Sequence, residues 1–287
     1  MRSFWINRIL RLYPIYLLII CLILLIDPNN FGKIFLDSSY SVLTRLYVFI
    51  YNIFMIGSDW SLWLEITPEK TLDFVMNFRD SFHSIHLKHS LLSVAWTISL
   101  EIYFYIIAPF LIKYPKKILV LLMILSLSLR FLFLYPLGFS YDPYTYRFFP
   151  TELVFFILGI FSYYYAKQFL KFGWIALTNV IILAFFIEKI PIDFRILKLI
   201  YFISLTIAIP FLFKLFKNNV IDRKIGDLSY GIYLIHPLVI WKLSFLNLSS
   251  GSYFGVVVVV SMIAASVLNI ITSPIEIIRQ KLAKDQK

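Results

Sequence analysis

Long apolar stretches separated by short polar segments recur along this chain from about residue 10 to about residue 272. A helix crosses the hydrocarbon core of a bilayer in roughly 17 to 25 residues, which is about the length of these stretches. The polar–apolar alternation of a membrane β-strand is absent from the sequence, and a helix satisfies its own backbone hydrogen bonds in lipid. The pattern predicts nine helical segments, at residues 10–26, 40–57, 91–112, 118–135, 149–166, 172–187, 196–216, 228–246 and 253–272.

The composition excludes a soluble globular domain. Of the 287 residues, 60% are apolar and only 15% are charged, and the mean hydropathy is +0.83. A soluble domain of this size cannot bury so much apolar surface. We therefore predict an all-α fold, a polytopic integral membrane bundle of about eight or nine transmembrane helices, forming a single domain over residues 1–287.

One polar insert, residues 58–90, interrupts the apolar pattern, which there predicts an amphipathic interfacial helix plus loops. Its histidines, His83, His86 and His89, recur every three residues. We interpret them as a solvated face, because a metal would need a further ligand that the sequence does not identify. The single cysteine, Cys21, excludes an intramolecular disulfide. We predict no metal site and no bound cofactor.

Basic residues outnumber acidic ones, 27 to 16, but many lie in short connections between apolar segments. Such a bias marks cytoplasmic loops, so we predict membrane lipids and no nucleic acid as partners. Arg8 and Arg11 indicate a cytoplasmic N-terminus, and Lys113 indicates a cytoplasmic loop after the third segment. An odd number of crossings cannot join two cytoplasmic points, so segment 10–26 or 40–57 is re-entrant, interfacial or miscounted.

Ionisable residues inside apolar segments need a reason, because each costs roughly 2.5 to 3.5 kcal/mol at the centre of a membrane helix. Glu101 lies within such a segment, either as a structural carboxylate paired with a neighbouring helix or as a group lining a polar cavity. His236 shares a helical face with Ser229 and Tyr233, and Pro237 frees a backbone carbonyl one turn earlier. It is either a satisfied structural group or a substrate contact and proton carrier.

Three arginines are further candidates. Arg8 and Arg11 share a helical face at the predicted cytoplasmic boundary, where guanidinium groups either bind a phosphorylated cytosolic donor or reach towards lipid headgroups. Arg147 precedes a predicted helix that carries Glu152. The two either form an ion pair at the helix end or bring Arg147 to an anionic ligand.

Taken in order, these motifs resemble those of acyltransferase family 3, the bacterial membrane O-acyltransferases that modify lipopolysaccharide, peptidoglycan and other surface glycans. The resemblance covers almost the whole chain. The matching motifs are Arg-x-x-Arg-x-x-Pro at residues 8–14, Trp-Thr-x-Ser-x-Glu at residues 96–101, the helix after Arg147 with Phe-Phe-Ile-Leu-Gly at residues 155–159, Ile-Gly-x-x-Ser-Tyr-x-Ile-Tyr-x-x-His at residues 225–236, and, more weakly, Ser-Pro-Ile-Glu at residues 273–276.

The resemblance implies a multi-pass enzyme of the bacterial cytoplasmic (inner) membrane, with acyl-CoA, usually acetyl-CoA, as co-substrate. The acceptor would be a hydroxyl of a cell-surface glycan or its lipid-linked precursor. It further implies catalytic candidates Glu101 and His236, and substrate-binding or cofactor-binding candidates Arg8, Arg11, Arg147, Trp96, Ser99 and Tyr233. On this reading Arg8 and Arg11 lie near the CoA phosphates, and Glu101 lines the central cavity.

One departure from the family pattern leaves activity open. The family opens with two further helices, the first carrying an arginine and the histidine taken as the catalytic base, and neither precedes Arg8 here. We expect either a truncated acyltransferase or a remnant that no longer catalyses. A lipid-linked glycan flippase or polymerase remains an alternative, as does the other large family of membrane-bound O-acyltransferases, which also places a histidine in an apolar helix. The His-x-x-x-x-Asp motif of glycerolipid acyltransferases is absent from the sequence.

Overall fold

The computed structural model of this chain describes residues 2–27, 34–81, 83–192 and 194–284, and these residues are predominantly helical. Two short strands are β1 (Leu64–Ile66) and β2 (Leu72–Phe74). The helices are α1 (Arg2–Ile26), α2 (Val42–Phe54), α3 (Ile85–His89), α4 (Ala95–Leu111), α5 (Lys116–Leu134), α6 (Phe149–Tyr164), α7 (Ala166–Phe169), α8 (Gly173–Phe186), α9 (Phe194–Phe216), α10 (Val220–Leu243) and α11 (Ser250–Lys284). Single 3₁₀ turns lie at Trp60–Leu62, Leu170–Phe172 and Ile187–Lys189.

Every predicted apolar segment contains a helix, which confirms the helical reading of the pattern. Within the described residues, five helical stretches are long and apolar enough to cross a membrane: Ser3–Ile26, Lys116–Leu134, Ala166–Lys189, Leu197–Phe216 and Ser250–Leu282. Helices α2, α4 and α6 are apolar but shorter. The larger number of eight or nine crossings stays a prediction.

The chain forms two compact units, and the first contains Met1–Pro115, Leu129–Thr151 and Asp227–Lys287. In this unit α1 runs antiparallel to α4, since Trp5 Nε1 donates to the Tyr105 carbonyl at 2.9 Å. Helix α11 also runs against α1, because Arg279 Nη1 donates to Asn7 Oδ1 at 3.2 Å. A core of aliphatic side chains and one tyrosine joins the helices: Leu12, Tyr16, Ile19, Ile20, Ile98, Leu234 and Ile235.

The packing of α1 on α4 bears on the odd number of predicted crossings. The antiparallel pairing of α1 and α4 places the Arg8 end of α1 and the Lys113 end of α4 at the same end of the unit. Helix α2 has only 13 residues and ends at Met55 in a left-handed conformation, φ 61°. It is therefore about 20 Å long, at 1.5 Å per residue, shorter than α4 and α6 and than a hydrocarbon core of about 30 Å. This length favours segment 40–57 as the one that does not cross, and that assignment stays a prediction.

The polar insert differs from the predicted interfacial helix. It contains the 3₁₀ turn, an antiparallel hairpin in which Glu65 pairs with Asp73, and the five-residue helix α3. Residues 67–71, Thr-Pro-Glu-Lys-Thr, close the hairpin, with Lys70 at φ 59°, and a proline followed by polar residues is a typical turn sequence. The insert is anchored by a small core of Ile34, Val48, Tyr51, Ile66 and Ile85.

The second unit contains Lys116–Ser128 and Glu152–Gly226. Helices α8 and α9 pack closely in it, and Asn179 Nδ2 donates to Ser204 Oγ at 2.8 Å between them. A side chain at Gly173 would collide with Phe211, since a Cβ added at Gly173 would lie 2.4 Å from the Phe211 Cβ. The single domain expected for residues 1–287 stays a prediction.

Candidate functional site

Helix α4 distributes the polar residues of the Trp-Thr-x-Ser-x-Glu motif over separate faces. Thr97, Glu101 and Tyr105 follow one another at intervals of four residues, which places them on one face of a helix. Ser99 and Tyr103 share another face for the same reason. Each face contacts different elements of the first unit, so the motif serves more than one purpose.

The first face carries a charged cluster at the end where α1 begins. The Arg8 guanidinium lies 4.8 Å from the Tyr105 ring centroid and 5.1 Å from that of Phe4. The Tyr105 hydroxyl donates to Glu101 Oε1. Arg11, whose side chain is exposed, interacts electrostatically with Tyr105 as well. The structure thus brings together Arg8, Arg11 and Glu101, which the sequence singled out separately.

The end of α11 contributes to this cluster. Arg279 forms a two-point ion pair with Glu276, in which Arg279 Nε lies 2.6 Å from Glu276 Oε2. Glu276 also interacts electrostatically with Arg11. The weak Ser-Pro-Ile-Glu motif therefore lies beside the Arg-x-x-Arg-x-x-Pro motif, although the two are separated by almost the whole chain.

The other end of the same α4 face contacts α10. The hydroxyls of Thr97 and Tyr233 are hydrogen-bonded to each other, and each lies 3.1 Å from the Val94 carbonyl oxygen. Because the two hydroxyls have two protons between them, one donates to the other and the second donates to the carbonyl. One turn from Glu101, these hydroxyls continue the polar face towards the start of α4. Tyr230 of α10 donates to the Leu12 carbonyl at 2.9 Å and so joins α10 to α1.

His236 forms a hydrogen bond with the Tyr233 carbonyl, which has no helical donor because of Pro237. Proline has no N–H, so the Tyr233 carbonyl, four residues earlier, lacks its helical donor. His236 Nδ1 lies 2.7 Å from that carbonyl oxygen. A carbonyl can only accept, so Nδ1 carries the proton, and in the neutral ring the lone pair is on Nε2. The structure therefore shows a structural bond at one nitrogen and a basic atom at the other.

Arg147 lies between aromatic rings and a carboxylate. Its guanidinium carbon is 4.5 Å from the Trp96 ring centroid, and its Nε is 3.0 Å from Asp142 Oδ2. Arg79 approaches the same carboxylate at 3.7 Å. Burial raises the pKa of Asp142, whereas Arg147 and Arg79 lower it. Burial also lowers the pKa of Arg147, but a guanidinium stays charged near neutral pH.

Asp59 is a buried carboxylate that the sequence did not single out. It is 1% exposed, and its Oδ1 accepts from Ser99 Oγ at 2.8 Å and from the Tyr103 hydroxyl at 3.0 Å. Burial raises the pKa of Asp59, and the two hydrogen bonds oppose that effect. Ser99, a predicted substrate-binding residue, is fully buried and holds the polar insert against α4. The Ser99–Tyr103 spacing signals a shared partner, but no local pattern identifies one 40 residues away.

The histidines of the insert do not form a solvated face. His83 is exposed, but His86 is 6% exposed and its Nδ1 lies 3.3 Å from Ser61 Oγ. The three-residue helical spacing does not hold because His83 precedes α3. Within the part of the chain that the structure describes, no group of three or more potential metal ligands is assembled.

A family model described as an acyltransferase domain matches residues 1–271. The sequence has no significant match among curated proteins or among solved structures. The matched residues include the candidates from Arg8 to His236, while Glu276 and Arg279 follow the matched region.

Proposed function

This chain belongs to acyltransferase family 3, and on that premise we propose that it is a membrane O-acyltransferase of the bacterial cytoplasmic membrane. The donor is a cytosolic acyl-CoA, with acetyl-CoA as the simplest case. The acceptor is a hydroxyl of a cell-surface glycan or of its lipid-linked precursor. The family match supports a membrane acyltransferase. The donor, the acceptor and the roles of the residues are our proposal.

The observation that supports this proposal is the polar face of α4. It begins at the Arg8–Tyr105 contact, passes Glu101 and ends at the Thr97–Tyr233 hydrogen bond. From Tyr105 to Thr97 the face extends about 12 Å along the helix, at 1.5 Å per residue. Arg8 and Arg11 lie at the Tyr105 end, whereas at the Thr97 end the single Arg147 contacts Trp96 and interacts with Tyr233. The two arginines at the Tyr105 end suit the phosphates of a donor that enters there, with the acceptor hydroxyl approaching from the Thr97 end.

In the proposed reaction Arg8 and Arg11 bind CoA phosphates, since guanidinium groups form two-point hydrogen bonds with phosphate. The acceptor hydroxyl oxygen attacks the thioester carbonyl carbon, and the carbon–sulfur bond breaks. The hydroxyl proton passes through a base to the departing CoA sulfur, so the products are an ester and free CoA. We assign the base role to Glu101, which lies midway along the polar face, and a supporting role to His236 through Nε2.

Incubation of membranes that contain the full chain with acetyl-CoA labelled in the acetyl group tests this function. We expect label in the extracted glycan or lipid-linked glycan fraction, and its loss in Glu101→Gln. Binding of acetyl-CoA without any label transfer would instead indicate a non-catalytic remnant. Absence of acetyl-CoA binding to the purified protein would contradict the proposal and favour a glycan transporter or polymerase.

A further inference from the structure

A small cleft opens at the end of the first unit opposite the Arg8 cluster. Helices α1 and α10 run parallel there: Tyr230 contacts Leu12, and eleven residues further along each helix Trp241 and Ile23 line the same cleft. The volume of the cleft is about 210 Å³. It is lined by Ile23 and Asp27, by the segment 90–93 that precedes α4, and by Pro237, Leu238 and Trp241.

The position of the cleft places it at a membrane surface. Asp27 directly follows the apolar stretch Ser3–Ile26, which is long enough to cross the membrane. Ser90 and Ser93 precede the apolar helix α4 in the same way. The lining therefore combines the ends of two apolar helices with hydrophilic residues, at the side from which an extracytoplasmic acceptor would approach.

The chemistry of the lining suits a sugar ring. Trp241 is 48% exposed, and Lys242 Nζ lies over one face of its ring, 4.0 Å from the centroid, so a ligand would stack on the opposite face. The polarised C–H groups of a sugar stack on such a face for the same electrostatic reason. The Asp27 carboxylate and the hydroxyls of Ser90 and Ser93 can bond sugar hydroxyls.

The size of the cleft limits what it can hold. Pockets that enclose drug-sized ligands have volumes of roughly 300 to 1,000 Å³, whereas this cleft has about 210 Å³. It is large enough for a single ring and too small for a nucleotide such as the adenosine part of CoA. The phosphate-binding arginines, moreover, lie at the opposite end of α1.

We propose that this cleft binds one sugar ring of the acceptor glycan. The ring stacks on Trp241, and its hydroxyls bond to Asp27 and to Ser90 or Ser93. The inference rests on the proposed function and deepens it, because it assigns the acceptor to a defined site and separates that site from the donor-binding arginines.

Ligand-observed NMR on the full chain in lipid nanodiscs tests this site with methyl glycosides of glucose, galactose, mannose and N-acetylglucosamine as probes. We expect at least one glycoside to give a saturation-transfer signal. Its affinity should fall at least tenfold in Trp241→Ala and in Asp27→Asn. Trp174→Ala, at an exposed tryptophan of the second unit, is the matched control and should leave the affinity unchanged.

Acetyl-CoA binding, measured on the same samples, separates the two proposals and shows that each variant is folded. Two outcomes would overturn the sugar site alone, provided that acetyl-CoA binds normally. Either no glycoside binds, or a glycoside binds to Trp241→Ala as tightly as to the native protein. Binding of phospholipid headgroups in place of glycosides would overturn it as well. Glycoside binding through Trp241 in a protein that does not bind acetyl-CoA would uphold the site and contradict the proposed function.

Discussion

The Arg8 guanidinium of α1 lies 4.8 Å from the Tyr105 ring centroid of α4. The hydroxyl of the same tyrosine donates to Glu101, so one side chain contacts both a cation on α1 and the carboxylate on its own helix. Trp5 adds a hydrogen bond to the Tyr105 carbonyl. The first two turns of α1 are therefore held in a fixed position against α4, and Arg8 remains beside Glu101 without a direct ion pair being required.

Replacement of Arg8 or Arg11 by glutamine should weaken acetyl-CoA binding. A hydrogen bond to a charged group contributes about 1.5 to 3 kcal/mol, which corresponds to a loss of roughly ten-fold to 150-fold in affinity. Isothermal titration of the purified variants measures this. Arg223→Gln, at an exposed arginine, is the control for loss of positive charge alone, and an equal loss there would contradict a specific site.

Tyr105→Phe separates the two contacts of Tyr105. The variant keeps the ring beside Arg8 but loses the hydroxyl bonded to Glu101. We expect the KM for acetyl-CoA to change less than twofold and kcat to fall at least tenfold, since a hydrogen bond to a charged group contributes about 1.5 to 3 kcal/mol and tenfold corresponds to about 1.4 kcal/mol. Steady-state kinetics test this. A rise in KM at constant kcat would place the tyrosine in donor binding instead.

The motif spacings predicted the faces of α4 but not their partners. Residues four apart share a helical face in any helix, so the grouping of Thr97, Glu101 and Tyr105 follows from local geometry. The pairing of Asp59 with Ser99 depends on how the polar insert folds back, and periodicity contains no such information. The end of α2 was not predicted either, because the left-handed Met55 ends the helix at Phe54, before the apolar segment 40–57 ends. A left-handed methionine has no clear sequence signal, unlike a glycine.

The Asp59 carboxylate should contribute to stability through its acceptor oxygen rather than through its charge. Asp59→Ala leaves the buried hydroxyls of Ser99 and Tyr103 without their acceptor, so we expect a loss of about 2 to 4 kcal/mol in unfolding free energy. Asp59→Asn retains a carbonyl oxygen at that position. Burial raises the pKa of Asp59 because it disfavours the charged carboxylate. The neutral asparagine should therefore reduce the unfolding free energy much less than alanine does. Thermal unfolding in detergent compares the two variants.

If Asp59→Asn proves as destabilising as Asp59→Ala, the negative charge is required and the burial argument is wrong. Ser126→Ala serves as the reference for removal of a buried polar side chain away from Asp59, because Ser126 is also buried but belongs to the second unit.

The polar insert should lose stability in mild acid. Burial lowers the pKa of His86 to about 4, and nearby Arg147 adds to the effect. Burial and then Lys88 lower that of His89 to about 4 in the same way. The unfolded chain takes up these protons below about pH 6.5, whereas the folded chain does so only near pH 4. The contribution of these two histidines to stability is therefore constant above about pH 6.5 and falls as the pH decreases from 6.5 to 4.

The slope in that range is up to about 1.4 kcal/mol per pH unit for a buried histidine such as His86. Unfolding measured at pH 7.5, 6.0 and 5.0 should show the decline in the native protein and a smaller one in His86→Gln. His83→Gln, at an exposed histidine of the same insert, should retain the native slope. If the unfolding free energy declines equally in the native protein and in His86→Gln, groups other than His86 cause the acid sensitivity.

Among the glycines that the structure describes, Gly173 should tolerate alanine least. A Cβ at Gly173 would lie 2.4 Å from both the Cβ and the Cγ of Phe211. Because these atoms are next to the backbone, the phenylalanine cannot turn away without a shift of α9. Overpacking of this kind costs typically about 1 to 3 kcal/mol. Gly251, at the start of α11, has nothing within 4 Å of the position that a Cβ would take, and Gly251→Ala should be neutral or stabilise by up to about 1 kcal/mol.

Thermal unfolding of the two alanine variants in the same detergent tests the close packing of α8 on α9 directly. Phe211→Ala in the Gly173→Ala background supplies the decisive comparison, because it removes Cγ and Cδ2, two of the three Phe211 atoms that the new methyl group would meet. We expect the double variant to be less destabilised than the sum of its two single variants, with a coupling of about 0.5 to 3 kcal/mol for residues in contact. Strict additivity would show that the two helices do not meet at this point.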